Sequence, residues 1–258
     1  MLRTRVIPCL TLINGSLVKT IRFKNHSYIG DPVNTVRIFN ELEVDELCFL
    51  DIRASVERRE PDYELLRQIA EECFMPLAYG GGVKTIESAH KILSTGFEKI
   101  IVNTQAFRQP QFISRLVDEF GSQAVIGSID VKKNIWGKHQ VYINGGTERI
   151  DGDPVEWAGR LIEAGAGELL ITSIDNEGTW NGYDLPIISK IANTVSVPVI
   201  ANGGAGCFED LSQAVLQANA SAVAISSLVV YQQKGMGVLI NFPDKSSIEH
   251  LGQERYTS

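Results

Sequence analysis

Short apolar runs alternate with stretches in which apolar positions recur every three or four residues, and the alternation repeats eight times. The runs predict strands near 5–11, 46–51, 76–80, 98–103, 123–130, 168–173, 198–202 and 221–226, because a brief apolar run bounded by turn signals suits a buried strand. The periodic stretches predict helices over 31–43, 62–73, 85–94, 109–120, 154–164, 185–193 and 208–217. Strand–helix alternation builds a parallel sheet, and eight units in 258 residues suit a (β/α)8 TIM barrel. No linker divides the chain, so residues 1–258 read as one barrel domain. After Ser227 the pattern meets Gly235, Gly237 and Pro243, which rules against a long closing helix. Residues 231–258 therefore read as an atypical C-terminal segment. Within it, Val238 to Phe242 is expected to cover the barrel floor or meet a partner, and the residues after Leu251 to form a frayed tail.

The pattern also repeats at half length. Pro76-Leu-Ala-Tyr-Gly-Gly-Gly-Val matches Pro198-Val-Ile-Ala-Asn-Gly-Gly-Ala-Gly, and Val44-Asp-Glu-Leu-Cys-Phe-Leu-Asp matches Ala166-Gly-Glu-Leu-Leu-Ile-Thr-Ser. A half-barrel internal repeat follows, with two glycine turns between a strand and a helix. Such turns expose backbone N–H groups beside a helix N-terminus and favour an anion. The turns supply Gly81, Gly82, Gly203 and Gly204, and Asn103, Thr104, Ser226 and Ser227, one strand further on in each half, complete two candidate phosphate sites. The long connections 12–30 and 131–152 follow the first and fifth strands and are expected as ordered loops at the C-terminal rim, where a barrel of this kind carries its site.

A net charge of −7 argues against nucleic acid or an anionic membrane as a partner. No apolar run approaches the roughly 18 residues that span a bilayer, and the opening Met1 to Leu10 suits a first strand better than a signal peptide. Cys9, Cys48, Cys73 and Cys207 show no Cys-x-x-Cys spacing and are expected as reduced, buried thiols of a cytoplasmic protein. The histidines do not cluster, so neither metal nor cofactor is expected.

Polar residues gather at the predicted C-terminal strand ends. Asp130 closes the fifth strand, where a carboxylate in the barrel mouth can serve as a general base; it can equally hold a loop backbone. The symmetry-related end of the first strand carries Thr11. At the opposite rim, Arg5, Glu46, Lys99 and Glu168 lie at or near strand starts. Four charges converging on an axis need mutual pairing, whereas spread over the surface they would be ordinary salt bridges.

With these residues assembled, the chain resembles the cyclase subunit of imidazole glycerol phosphate synthase to about residue 230. The likeness rests on Arg5-Val-Ile-Pro-Cys-Leu, Val18-Lys19, Gly30-Asp31-Pro32-Val33, Phe49-Leu50-Asp51-Ile52, Gly80-Gly81-Gly82, Asn103-Thr104, Thr172-Ser173-Ile174-Asp175, Gly182-Tyr183-Asp184 and Gly203-Gly204-Ala205-Gly206. It implies a glutaminase subunit docked on the N-terminal face near Gln123 and Glu98, a charged gate made by Arg5, Glu46, Lys99 and Glu168, and ammonia moving along the barrel axis to a phosphorylated substrate. The family uses two acids, at the ends of the first and fifth strands. This chain keeps Asp130, has Thr11 in place of the other, and offers Lys19 and Glu177 nearby.

That departure, together with Gly237-Val-Leu-Ile-Asn-Phe-Pro, resembles a branch in which the barrel and its glutaminase supply ammonia to a third, sugar-amidating enzyme of surface-polysaccharide synthesis. Two alternatives stand beside it. One is a working cyclase of histidine biosynthesis, and the other a non-catalytic subunit that activates its glutaminase.

Overall fold

The computed structural model describes residues 4–251. Among the described residues there are twelve strands: β1 (Arg5–Ile13), β2 (Ser16–Ile21), β3 (Lys24–Gly30), β4 (Leu47–Asp51), β5 (Leu77–Gly80), β6 (Lys99–Val102), β7 (Val125–Lys133), β8 (His139–Ile143), β9 (Glu148–Ile150), β10 (Glu168–Ser173), β11 (Val199–Asn202) and β12 (Ala222–Ile225). Eight of them run parallel in the order β10-β11-β12-β1-β4-β5-β6-β7, and pairing of β7 with β10 closes the cylinder. The fold is a (β/α)8 TIM barrel.

Two layers of apolar side chains hold it together. Outward-facing residues such as Leu10, Phe49 and Ile100 pack under the helices, and each such side chain contributes about 1.5–3 kcal/mol on burial. Inward-facing residues form a second, smaller cluster that includes Ile7, Cys9, Cys48, Ala78, Ile126, Leu170, Ala222 and Ala224. Many of these are short, which lets eight strands close around them. Cys9 and Cys48 are register partners, with their sulfurs 3.7 Å apart.

The helices around the barrel are α1 (Pro32–Glu41), α2 (Tyr63–Glu72), α3 (Ile86–Ser94), α4 (Thr104–Arg108), α5 (Gln111–Phe120), α6 (Pro154–Glu163), α7 (Leu185–Ala192), α8 (Phe208–Leu216), α9 (Ser227–Val230) and α10 (Lys245–His250). The half-barrel repeat shows in their starts. Both α1 and α6 open with an Asp-Pro pair, in which Asp31 or Asp153 accepts a 2.8 Å bond from a first-turn N–H and proline sits where its missing N–H costs nothing.

The connections expected as loops are mostly strand. β1 runs on to Ile13, turns through Asn14 and Gly15 at φ of 50° and 76°, and returns as β2 and β3. That is an Asn-Gly hairpin of the kind that matches strand twist. β7 likewise runs on to Lys133 and pairs with β8, which pairs with β9. Among the described residues the C-terminal segment forms no long closing helix. Leu239 and Asn241 donate to the carbonyls of Val230 and Val229, so 238–242 folds back along α9, with Val238 and Leu239 exposed. Cys207 is exposed at the start of α8, contrary to the burial expected of it. The tail after Leu251 lies outside the described residues.

Gly204 has φ of +119°, and a Cβ there would run into the Gly182 carbonyl and come within 2.9 Å of the Asn176 Cβ. Gly237 faces open space. Gly204→Ala should therefore lower the urea midpoint by an amount equivalent to about 1–3 kcal/mol, whereas Gly237→Ala should stay within about 0.5 kcal/mol of the parent.

Candidate active site and charged floor

All twelve candidate mouth residues line one cavity of about 400 Å³ at the C-terminal ends of the barrel strands. Thr11, Lys19, Asp130 and Glu177 lie there with Gly81, Gly82, Asn103 and Thr104 from one half and Gly203, Gly204, Ser226 and Ser227 from the other.

Asp130 occupies the C-terminal part of β7 with Thr172 beside it in register on β10. Desolvation in the mouth pushes its carboxyl up to about 7, against a hydrogen bond from the Thr172 hydroxyl that favours the ionised form. A group poised near neutrality is suited to taking and returning a proton.

Thr11 lines the cavity, but its hydroxyl donates to the Val18 carbonyl of the β1–β2 hairpin and so fastens a backbone turn. The other two cavity-lining carboxylates are also engaged. Glu177 pairs with Lys19 and accepts from the Phe23 N–H at 3.1 Å. Asp51 accepts from the Arg53 and Ala54 N–H groups, both at 3.0 Å, and meets Arg59 at 3.3 Å.

The two glycine turns sit where a Cβ could not. At Gly81, with φ of +129°, it would lie 2.5 Å from the Asp51 carbonyl oxygen. Near the turns, the Asn103 amide donates to the Ser128 carbonyl at 3.2 Å and the Thr104 hydroxyl accepts from the Asn144 N–H at 3.0 Å. Ser226 Oγ is buried with no hydrogen-bond partner among the described residues. A buried hydroxyl left so is costly unless a ligand or water meets it.

The four floor charges converge. Arg5 reaches Glu46 at 2.8 Å and Glu168 at 2.6 Å, while Lys99 reaches the same two carboxylates at 3.0 and 2.9 Å. The result is a closed ring of alternating sign across the barrel base. Burial pushes the Glu168 carboxyl up, but hydrogen bonds and charge from Arg5 and Lys99 outweigh it and hold the group below the usual range. Around the same rim, Gln123 and Glu98 are exposed. Phe74, just before β5, is 87% exposed; sequence reasoning passed over it, since only its position after the end of α2 separates it from a core residue.

Among the described residues no group of three His, Cys, Asp or Glu side chains could hold a metal ion, and no helix is long and apolar enough to cross a membrane.

Comparison with known proteins agrees with this geometry. The profile of the histidine biosynthesis protein family matches residues 5–235. A Pseudomonas aeruginosa protein provisionally named imidazole glycerol phosphate synthase subunit hisF2 is 50% identical over 249 residues, which covers 96% of this chain and 99% of that protein. A Leptospira interrogans protein, provisionally named imidazole glycerol phosphate synthase subunit HisF, is 45% identical over 97% of this chain and 99% of its own length. The imidazole glycerol phosphate synthase subunit HisF of Alkaliphilus metalliredigens is 40% identical over 233 residues, 90% of this chain and 92% of that protein.

Two outcomes follow from the charges. The folded chain holds the Asp130 proton between the ordinary value of 3.8 and about 7, so this contribution to stability is full below that window and is lost as the pH rises through it. The slope is at most about 1.4 kcal/mol per pH unit; urea titrations from acid to neutral pH should show it in the parent and not in Asp130→Asn. Lys99→Met leaves two carboxylates facing each other on Arg5 alone and should cost about 3 kcal/mol, whereas the exposed Arg37→Met should leave the urea midpoint essentially unmoved.

Proposed function

The chain belongs to the HisF-like cyclase subunits of imidazole glycerol phosphate synthase, within the histidine biosynthesis protein family, and from that premise we propose that it serves a glutamine amidotransferase complex which delivers ammonia for amidination of a nucleotide-linked sugar. The observation that carries this reading is the fate of Thr11. Its hydroxyl is committed to the Val18 carbonyl, and of the cavity-lining carboxylates only Asp130 is without an ion pair among the described residues. Ring closure to an imidazole by the route the family resemblance implies needs two acids to move protons; here there is one.

A glutaminase partner of the HisH type docks on the N-terminal face, where Phe74, Glu98 and Gln123 are exposed. Exposed aromatic side chains are favoured anchors of such interfaces. Arg5, Glu46, Lys99 and Glu168 form the gate, and ammonia passes when a cation leaves its two carboxylates. As a neutral molecule it then meets apolar and thiol side chains such as Ile7, Cys48, Ala78 and Ala222, and above them the hydroxyls of Ser128 and Thr172. At the mouth, the glycine turns with Asn103, Thr104, Ser226 and Ser227 grip a phosphorylated ligand, Lys19 held by Glu177 contributes positive charge, and Asp130 takes up and returns a proton as the nitrogen moves on.

A functional cyclase of histidine biosynthesis is the second reading. What favours it is Asp130 itself, poised at about 7 in a mouth whose two glycine turns are both in place.

The test is to trace nitrogen-labelled glutamine through the purified chain–glutaminase pair. Label should reach an amidinated sugar when the sugar-amidating enzyme is added, and imidazole glycerol phosphate should form at a rate about 10²–10⁴-fold below that of a cyclase with both acids. Growth of a histidine auxotroph lacking the cyclase, restored by this chain, would decide for the second reading.

A further inference from the structure

Two hairpins rise over the mouth, and neither contains an acid. Residues 14–30 carry Lys19, Arg22, Lys24 and His26, and residues 131–147 carry Lys132, Lys133, Lys138 and His139, in a chain whose net charge is −7. They stand side by side because both lean on Asp175: Arg22 Nε donates to its carbonyl at 3.0 Å and the Lys133 N–H to its carboxylate at 2.7 Å. The acids that face this crown are already engaged. Glu177 holds Lys19, Asp184 holds Lys133 and His139, and Glu148 holds Arg108. Lys24, Lys132 and Lys138 make no ion pair among the described residues, and Lys132 instead lies over the Tyr142 ring at 6.0 Å.

The tips are also apolar. Ile135 and Trp136 are 88% and 83% exposed at the turn between β7 and β8, and Tyr28 on β3 is 67% exposed. Side chains of this kind, ringed by unpaired cations, are what a protein interface uses as anchors. Nothing in the mouth chemistry occupies them, since none of the three lines the cavity.

We propose that this crown is a docking surface for an acidic protein face, that of the sugar-amidating enzyme which receives the nitrogen. The inference rests on the reading given under Proposed function. Its position carries the argument: the crown stands at the opening opposite the charged floor, with Lys24 and His26 on the cavity wall, so a partner seated there would cover the outlet and limit the escape of ammonia to solvent. The overall negative charge of the chain disfavours an anionic membrane as the occupant.

The experiment uses the intact chain–glutaminase complex. The purified amidating enzyme is titrated into it at low and high salt, with Lys132→Glu/Lys138→Glu and, separately, Trp136→Ser as variants. Both variants should stimulate the glutaminase as the parent does, which establishes that they fold. Both should bind the amidating enzyme at least tenfold more weakly, and the parent contact should weaken with salt. Transfer of label from glutamine should fall by the same factor, while incorporation from added ammonium chloride is retained. If the parent channels label and both variants bind and channel equally well, the docking surface is refuted and the proposed function stands. If the parent delivers no label to sugar under any condition, that function fails and this surface with it. Parent binding to phosphatidylserine vesicles that is lost in both variants, with amidating-enzyme binding intact, assigns the crown to a membrane and overturns the proposal.

Discussion

Two carboxylates and two cations must share the base of one narrow cylinder, and none of the four can leave without stranding another. Arg5 and Lys99 each bridge Glu46 and Glu168, so the arrangement is satisfied only as a closed circuit. Burying charge in this way adds little net stability, because desolvation cancels most of the attraction. What it fixes is geometry. The starts of β1, β6 and β10, together with Glu46 immediately before β4, are held in register across the axis, and the interior above them is free to be apolar and small. A barrel floor of bulky hydrophobes would have been at least as stable and would offer no polar way in.

The second organising feature is a broken symmetry. The two halves repeat their Asp-Pro helix starts, their glycine turns and their long, hairpin-bearing first strands. They differ at the ends of the first and fifth barrel strands, where one half has Asp130, its carboxyl pushed up to about 7 by desolvation, and the other has Thr11, whose hydroxyl fastens the backbone. Paired glycine turns beside a single unpaired carboxylate are what the proposed function asks of this mouth: two places for an anion and one group to exchange a proton.

Much of this was legible in the chain because the signals were redundant. The barrel strands are short apolar runs repeated eight times, and every glycine position assigned to the phosphate turns falls on the cavity wall. The ring was legible only as a convergence of strand starts; that the charges meet at 2.6–3.0 Å is a property of closure. The rim hairpins read as loops in the sequence although Asn14-Gly15 and Asn144-Gly145-Gly146 announce them, since the strand alternation between those turns is short and interrupted by lysines. Cys207 reads as a buried thiol in the sequence, but it sits at a helix start, where the chain turns outward. Phe74 carries no local signal at all, because exposure of one aromatic residue depends on how helix and strand meet in space.

The fastening of Thr11 to the Val18 carbonyl also bears on descent. An aspartate installed there alone would lose that donor and set a carboxylate against a carbonyl oxygen, loosening the hairpin before any new chemistry appeared. An acid at this position is therefore coupled to the turn that Thr11 fastens. Such coupling works as a ratchet: where the backbone has come to use the hydroxyl, the way back to a carboxylate is steeper than the way out.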